Sequence, residues 1–132
     1  MKVVFIAGPI SNKGTMTAPE QASAVTLAGI AGLHLLAAGF APIIPQLSWY
    51  IDPMSKYPQW YEADYEFLRR SDLLLRLPGK SWGADKEVAL ASQLGLSVYY
   101  SVEAVIQHES QPIISKTVRE TDPVGFFRGG LS

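Results

Sequence analysis

The sequence predicts an α/β protein of three layers, in which helices cover both faces of a parallel sheet of four to five strands. Short apolar segments alternate with longer helical segments along the 132 residues, as is typical of βαβ units. The apolar segments are continuous and contain few polar residues, which indicates strands buried on both faces. Glycine or proline follows most of these segments, as expected where strands and helices end.

The first strand and the first helix have clear boundaries in the sequence. Residues 2–7 predict a strand, which a Gly-Pro pair ends. Thr17 and Glu20 have the spacing of a capping box, in which each side chain accepts a hydrogen bond from the backbone N–H of the other residue. The helix that begins there is predicted to end near Ala38, because Gly39 is a natural stop.

The remaining elements predict the strand order 2-1-3-4. They are a strand at 40–44, an aromatic loop, a helix at 59–70, a strand at 72–77, a helix at 83–94, a strand at 96–100 and a short helix ending near 108. This order belongs to flavodoxin- or Rossmann-like sheets, in which ligands bind beyond the carboxyl ends of the strands at the switch point. Here the switch point lies between strands 1 and 3.

The chain is predicted to form one domain with an extension. Residues 1–108 contain the predicted strands and helices, and 109–132 form a polar extension that packs on the domain or on a partner subunit. A fifth edge strand at 113–118 is one alternative for part of this extension. The apolar segments are shorter than a membrane span or a signal-peptide core, so we expect no membrane contact and a cytoplasmic protein.

Composition excludes several classes of function. Eleven basic and twelve acidic residues give a net charge of −1, so no basic surface indicates a nucleic-acid polymer as partner. The absence of cysteine excludes disulfides, thiolate catalysis and cysteine-based zinc sites. The two histidines lack a metal-ligand spacing, so no metal site is expected.

Two glycine-rich loops flank the predicted switch point, at 8–14 and 78–83. In the second loop Ser81 and Gly83 begin a helix, where unpaired backbone N–H groups and the helix dipole favour an anion. Lys13 lies in the first loop and can contact a phosphate, although a single such lysine is more often a solvated surface residue. The two loops therefore predict a crevice that binds phosphate and sugar.

Glu87 is the first candidate for chemistry. It follows Gly83 by four residues, so the two lie on one face of the helix, one turn apart. A carboxylate there faces the crevice, and its place near the helix N-terminus is expected to keep it ionised and able to act as a nucleophile. The alternative is an exposed glutamate that pairs with Lys80 or Lys86.

Asp64 is the second candidate acid, because its predicted helix begins near the mouth of the crevice. A second carboxyl group beside Glu87 suits glycoside chemistry, in which one carboxylate attacks and another group protonates the departing base. The alternative is a solvated helix face. An aromatic cluster precedes Asp64 and can either stack a nucleobase or form a dimer interface. Its members are Trp49, Tyr50, Tyr57, Trp60 and Tyr61.

Taken together, these residues resemble the nucleoside 2-deoxyribosyltransferase-like superfamily over residues 2–100. The matching segments are Phe5-Ile6-Ala7-Gly8-Pro9-Ile10, Asp64 ahead of Arg70-Ser71-Asp72-Leu73, and Leu77-Pro78-Gly79-Lys80-Ser81-Trp82-Gly83-Ala84-x-x-Glu87 followed by Ala91-x-x-Leu94-Gly95. The resemblance is nearest to the 2′-deoxynucleoside 5′-phosphate N-hydrolases and to small phage-type members of unknown function.

The resemblance implies an N-glycosidase that forms a covalent intermediate. The position that matches Glu87 is a nucleophile, which attacks C1′ of the deoxyribose and forms a glycosyl-enzyme ester that water or another base resolves. The position that matches Asp64 assists departure of the base. The resemblance also implies a homodimer or larger homo-oligomer in which a neighbouring subunit completes each site. No cofactor is expected.

One position separates the subfamilies. Six residues before the nucleophile, the transferases have an aspartate that holds the 5′ hydroxyl, whereas the phosphate hydrolases have a serine that binds the 5′ phosphate. Ser81 stands there, so the resemblance favours a nucleoside 5′-monophosphate as substrate. The other substrate-binding residues are expected to be Phe5, Gly8, Ile10, Ser11, Asn12, Lys13, Trp49, Tyr61 and Gly83.

Phe5 departs from the family pattern, which usually has a tyrosine whose hydroxyl orients the nucleophile. Either another donor, such as Tyr57 or Tyr61, replaces that hydroxyl, or the activity is weakened. Two alternatives therefore stay open beside the hydrolase: a nucleoside 2-deoxyribosyltransferase and a catalytically silent nucleotide-binding protein. Cytokinin-type phosphoribohydrolases are a further rival, but their Gly-Gly-x-Gly-Thr pattern is missing from the sequence.

Overall fold

A computed structural model describes residues 1–11 and 13–110 of the chain. Their elements, in chain order, are β1 (Val3–Ala7), α1 (Ala18–Ala37), β2 (Ala41–Ile43), a 3-10 helix (Pro45–Tyr50), α2 (Gln59–Arg69), β3 (Leu73–Arg76), α3 (Trp82–Gln93), β4 (Ser97–Tyr99) and α4 (Val102–Glu109). The strands form one parallel sheet in the order β2-β1-β3-β4. The predicted α/β class and strand order are therefore confirmed.

The sheet is covered on both faces, which gives the three layers. Val4 and Ile6 of β1 pack with buried residues of α1 and α4, whereas Phe5 and Ala7 pack with buried residues of α2 and α3. Successive residues of a strand point to opposite faces, so a continuous apolar strand supplies two separate cores. Burial on both sides is the reason that β1 and β3 contain almost no polar residue.

The start of α1 is built as its sequence predicts. The Thr17 hydroxyl accepts a hydrogen bond from the Glu20 backbone N–H at 3.3 Å, and the Glu20 carboxylate accepts one from the Thr17 N–H at 2.8 Å. These bonds satisfy backbone donors that a helix leaves unpaired in its first turn. They fix where the chain turns from the loop after β1 into the helix.

The segment after β2 differs from its prediction, and the C-terminal extension is almost entirely outside the described residues. The segment after β2 was expected to be an aromatic loop, but its first part is the 3-10 helix, because Pro45 presets a helical backbone angle at its start. The proposed edge strand at 113–118 and nearly all of the C-terminal extension lie outside the described residues. Within the described part of the chain, no helix combines the length and hydropathy needed to cross a membrane.

The carboxyl ends of β1 and β3 lie side by side, as the strand order requires. Ala7 is paired with Arg76, and the Leu77 backbone N–H donates to the Ala7 carbonyl at 2.8 Å. Beyond the strands, Gly79 packs so closely on the ring of Pro9 that a Cβ atom there would stand 2.8 Å from its Cγ. The two glycine-rich loops are therefore held against each other.

Replacing Gly79 tests this contact. We expect Gly79→Ala to lower the free energy of unfolding by about 2 kcal/mol, because the backbone angle φ of +113° is strained for an L-residue and the added methyl group meets Pro9. Urea denaturation measures the change. Gly14→Ala is the matched control, because its φ is +80° but nothing lies within 4 Å of an added Cβ. Equal losses in the two variants would show that the Pro9 contact is unimportant.

Candidate active site

A cavity of about 180 Å³ opens at the carboxyl ends of β1 and β3. Ten of the residues predicted for the site line it, with Asp64 and Glu87 among them. The full set is Gly8, Ile10, Ser11, Lys13, Trp49, Tyr61, Asp64, Ser81, Gly83 and Glu87. Asn12, which was also predicted, lies outside the described residues. The topology thus brings segments that are far apart in sequence to one small cavity.

Ser81 forms the floor of one end of the cavity as the N-cap of α3. Its side chain is 4% exposed, and its hydroxyl oxygen accepts a hydrogen bond from the Ala84 backbone N–H at 3.0 Å. Gly83, in the first turn of α3, lines the cavity beside it. The N-terminus of a 12-residue helix therefore points at the cavity, where its dipole favours a negatively charged group.

Asp64 and Glu87 face each other across the packed helices α2 and α3. Burial raises the pKa of Asp64 to about 7. Burial and the charge of Asp64 together raise the pKa of Glu87 to about 8. Removing a carboxylate from water disfavours its charged form, and a second carboxylate nearby disfavours it further. Two such groups titrate as a pair, so the pair holds at least one proton near neutral pH.

The expectation that the helix N-terminus keeps Glu87 ionised is therefore wrong. Glu87 is the sixth residue of α3, more than a turn beyond its start, and the effect of the dipole falls off within the first turn. Desolvation of Glu87 raises its pKa more than the helix dipole lowers it. The charge that favours ionised Glu87 is instead the guanidinium of Arg76, which acts to lower the pKa of Glu87.

Phe5 does not line the cavity, so the prediction that it contacts a ligand is wrong. Its side chain is fully buried among Ala7, Leu68 and Leu74, because β1 turns its odd-numbered residues towards α2 and α3. A substrate-binding residue would need an exposed edge. The aromatic side chain acts as part of the core behind the catalytic candidates.

Tyr65 is the tyrosine most affected by the carboxyl pair. It lies one turn after Tyr61 on α2, so both share the helix face that carries Asp64. Burial raises the pKa of Tyr65, and the charge of Glu87 raises it further. The sequence had suggested Tyr57 or Tyr61 as a hydroxyl donor to Glu87, and both line the cavity. Tyr65 joins them as a third candidate.

Gln46 is a lining residue that sequence reasoning missed. Its side chain is 3% exposed, and its amide nitrogen donates to the Ile6 carbonyl at 3.1 Å. Its amide oxygen is buried and has no hydrogen-bond partner among the described residues. A buried acceptor without a donor costs about 1–3 kcal/mol, so a ligand N–H or O–H group would be favoured there. Gln46 follows the carboxyl end of β2, at the same edge of the sheet as the loops after β1 and β3, and this position could have identified it as a lining residue.

Asp52 organises the aromatic wall of the cavity and was also missed. Its carboxylate accepts hydrogen bonds from the backbone N–H groups of Lys56 and Tyr57 and from the indole N–H of Trp60, at 3.0, 3.2 and 2.8 Å. These bonds, led by the one from Lys56, lower the pKa of Asp52. The Asp-Pro pair at 52–53 is a turn signal that could have identified this residue.

The rim of the cavity is aromatic and cationic. The ammonium group of Lys13 lies 4.4 Å from the centre of the Trp82 ring, and the Tyr61 ring stands edge-on to Trp82 at 6.5 Å. Lys13 has a φ of 61°, an unusual backbone angle for a residue other than glycine. Trp49, on the other wall, donates its indole N–H to Gln21 at 3.2 Å. The rim thus combines flat apolar faces with positive charge.

Among residues 1–11 and 13–110, no group of three or more histidine or acidic side chains is placed to hold a metal ion. Lys80, which the sequence placed in the second loop, is exposed and does not line the cavity. Of the five clustered aromatic residues, four line the wall and Tyr50 does not. The site is therefore a carboxyl pair below an aromatic, cationic rim.

Comparison with known proteins supports the fold. No protein-family model matches the sequence, and no curated protein matches it either. Among solved structures, the 2-desoxiribosyltransferase from Leishmania mexicana is similar, with a TM-score of 0.54 and 18% sequence identity. The similarity covers 74% of this chain and 62% of that chain, so it spans less than two thirds of the larger protein. At this identity it is a likeness of fold.

The raised pKa of Glu87 predicts how stability depends on pH. Folding favours protonated Glu87, so its contribution to stability is complete below pH 4.5 and is lost as the pH rises towards 8. Glu87→Gln removes this loss of stability at high pH, because glutamine has no carboxyl group to ionise. We expect the variant to gain up to about 5 kcal/mol relative to the native chain between pH 4 and pH 9, measured as free energy of unfolding in urea.

The control for this experiment is Glu62→Gln, which changes an exposed glutamate on the same helix as Asp64. Its stability should follow that of the native chain at every pH. If the difference between Glu87→Gln and the native chain is constant across the pH range, Glu87 is not desolvated in the way described.

Proposed function

We propose that the protein is an N-glycosidase that releases the base from a deoxynucleoside 5′-monophosphate. The observation that supports this most is the pair of desolvated carboxyl groups, Asp64 and Glu87, in one cavity with the N-terminus of α3. One carboxylate that attacks and one carboxylic acid that donates a proton are the two groups that glycoside cleavage needs. The fold likeness to a 2-desoxiribosyltransferase agrees with this chemistry.

In the proposed first step, a carboxylate oxygen of Glu87 bonds to C1′ as the bond from C1′ to the base nitrogen breaks. The electron pair of that bond leaves with the base, and Asp64 donates its proton to the base. The pair holds at least one proton near neutral pH, and the higher pKa of Glu87 favours that proton on Glu87. The step therefore requires the proton to move from Glu87 to Asp64 when the substrate binds, a transfer that the charge of Arg76 near Glu87 assists.

In the second step, water attacks C1′ of the glycosyl ester. Ionised Asp64 accepts a proton from the water, and the bond between C1′ and Glu87 breaks with its electrons returning to the carboxylate. The products are a free base and a deoxyribose 5-phosphate, and both carboxyl groups return to their starting states. The small cavity limits competing water during the first step.

Ser81 and Lys13 are proposed to hold the 5′ phosphate. The Ser81 oxygen already accepts from Ala84, so its own hydrogen can be donated to a phosphate oxygen. The N–H groups of the first turn of α3 and the charge of Lys13 add to this. The base would stack on the aromatic wall, and Gln46 would accept a hydrogen bond from a ligand N–H or O–H group.

The fold likeness also favours a second candidate function, base exchange on a free nucleoside. The same glycosyl ester would then be resolved by another base in place of water. The wall residues are compatible with a second planar ring entering after the first has left. The two candidate functions differ in the acceptor and in the need for a 5′ phosphate.

Base release from a panel of compounds tests the proposal. The panel contains deoxynucleoside and ribonucleoside 5′-monophosphates and the free nucleosides, each with and without a second free base. We expect a deoxynucleoside monophosphate to be cleaved by the native chain and by Glu62→Gln, and not by Glu87→Gln, because only the last lacks the attacking carboxylate. Chromatography of the released base measures the rate.

Each other outcome points to a different function. Faster release in the presence of a second base, with formation of a new nucleoside, would favour the transferase. Binding of nucleotides without release of any base would favour a silent binding protein, since Phe5 provides no hydroxyl for Glu87. Unchanged activity in Glu87→Gln would contradict the mechanism.

Ser81→Asp tests the phosphate site without removing the helix cap, because aspartate is also a good N-cap residue. We expect kcat/KM for the monophosphate to fall by roughly tenfold or more, since a carboxylate repels phosphate, while any activity on the free nucleoside is retained. Ser101→Asp is the matched control. Ser101 caps α4 in the same way, with its hydroxyl accepting from the Ala104 N–H at 3.1 Å, away from the cavity. Equal loss on both substrates would argue against a phosphate contact at Ser81.

A further inference from the structure

The wall segment of the cavity, residues 51–61, is almost entirely exposed. It joins the 3-10 helix to the first turn of α2, and residues 51–58 form neither helix nor strand. Met54 and Tyr57 are 85 and 60% exposed, so apolar burial does little to fix this backbone. Asp52 and Trp60 are the only residues of the segment that are partly buried. The position of the wall therefore depends on these two side chains.

The carboxylate of Asp52 ties the two ends of the wall segment together. Its Oδ2 atom accepts a hydrogen bond from the indole N–H of Trp60 at 2.8 Å and one from the Tyr57 backbone N–H at 3.2 Å. Its Oδ1 atom accepts one from the Lys56 backbone N–H at 3.0 Å. Pro58 stands at the N-cap position of α2, and its ring cannot accept a hydrogen bond. Asp52 instead holds the residues just before the start of the helix.

The first turn of α2 carries two aromatic rings to the cavity. Trp60 and Tyr61 both line it, as the second and third residues of the helix. The Tyr61 ring stands edge-on to Trp82 at the start of α3, with 6.5 Å between the ring centres. A series of contacts therefore runs from Asp52 through α2 to Trp82. Rings that are held in place in this way offer flat faces on which a planar heterocycle can stack.

We propose that Asp52 is a positioning residue of the site, whose carboxylate holds the rings of Trp60 and Tyr61 as a preformed face for the base of the substrate. This role rests on the proposed function, which places a base on the aromatic wall. Affinity for the base then depends on a carboxylate that does not touch it. A face that is ordered before the ligand arrives lowers the ordering cost of binding, so its loss weakens binding.

Direct contact between Asp52 and the ligand fits the geometry less well, although Asp52 also lines the cavity. A carboxylate only accepts hydrogen bonds, and three donors of the chain already occupy its two oxygen atoms. These hydrogen bonds, led by the one from Lys56, lower the pKa of Asp52, so the carboxylate is ionised at neutral pH. Its negative charge would repel the 5′ phosphate of a nucleotide.

Binding of a fluorescent nucleotide tests the role of Asp52. The probe is the 5′-monophosphate of 2-aminopurine deoxyriboside, whose emission is quenched when its ring stacks on an aromatic side chain. All variants carry Glu87→Gln, which keeps the probe intact, and this background is the reference. We expect Asp52→Ala to raise the Kd about tenfold and to reduce the quenching, because alanine offers no acceptor to the three donors. Glu103→Ala, which removes an exposed acid of α4, should change neither.

A double-mutant cycle separates positioning from direct contact. Trp60→Phe keeps a ring but removes the indole N–H, and we expect it to raise the Kd about tenfold as well. Because both changes break the same hydrogen bond, the double variant should also bind about tenfold and not about a hundredfold more weakly. Trp49→Phe is the matched control, since it removes an indole N–H that is donated to Gln21. Its effect on the Kd should add to that of Asp52→Ala.

Deoxyribose 5-phosphate, which lacks a base, should bind to Asp52→Ala and Trp60→Phe as it does to the reference. Weaker binding of this compound to Asp52→Ala would overturn the positioning role. Effects of Asp52→Ala and Trp60→Phe that add, or unchanged binding of the probe in both, would overturn it as well. Circular dichroism shows whether each variant is folded. If Asp52→Ala unfolds, the comparison of the probe with deoxyribose 5-phosphate in Trp60→Phe decides.

The outcome also distinguishes this role from the proposed function. Coupled effects on probe binding, in a protein that releases no base from any nucleotide, would refute the N-glycosidase and leave the role of Asp52 standing. If the reference binds only another monophosphate of the panel, calorimetry with that compound replaces the fluorescence measurement. A reference that binds neither the probe nor any monophosphate would overturn both.

Discussion

The parallel pairing of β1 with β3 is the contact on which the candidate site depends. It places the carboxyl ends of the two strands, at Ala7 and Arg76, next to each other. The loops that follow these strands therefore lie at one edge of the sheet, although they are far apart in sequence. The close packing of Gly79 on Pro9 then holds those loops together. Because α3 begins at the end of the loop after β3, its residues Ser81 and Glu87 line the same cavity as the residues that follow β1.

The cavity combines features that reduce stability and suit chemistry. Two carboxyl groups are taken out of water near each other, and the buried oxygen of Gln46 has no donor among the described residues. A sequence under selection for stability alone would replace such groups by apolar ones. Perturbed acids and an unsatisfied acceptor that meet in one small cavity are the arrangement expected where a ligand supplies the missing partners.

Two regions of the described surface differ in physical character. The cavity rim, with Lys13 over Trp82, combines cations and aromatic rings suited to a small anionic ligand. The outer side of α1 exposes the apolar side chains of Leu27, Ile30, Leu33 and Leu36. Pro9 and Pro78 lie between the two regions, since each belongs to a loop of the site and also lines a groove beside α1.

The sequence by itself determined the local structure and the strand order. Continuous apolar segments, the capping box at Thr17 and the helix start at Ser81 are signals carried by neighbouring residues, so they could be read without a structure. The tertiary structure decided which side chains share a solvent environment. It buried Phe5 behind the cavity, brought Gln46 and Asp52 into its walls, and desolvated Asp64 and Glu87. Burial and pairwise charge depend on residues that are distant in sequence, and for this reason no local pattern could reveal that Glu87 would hold its proton.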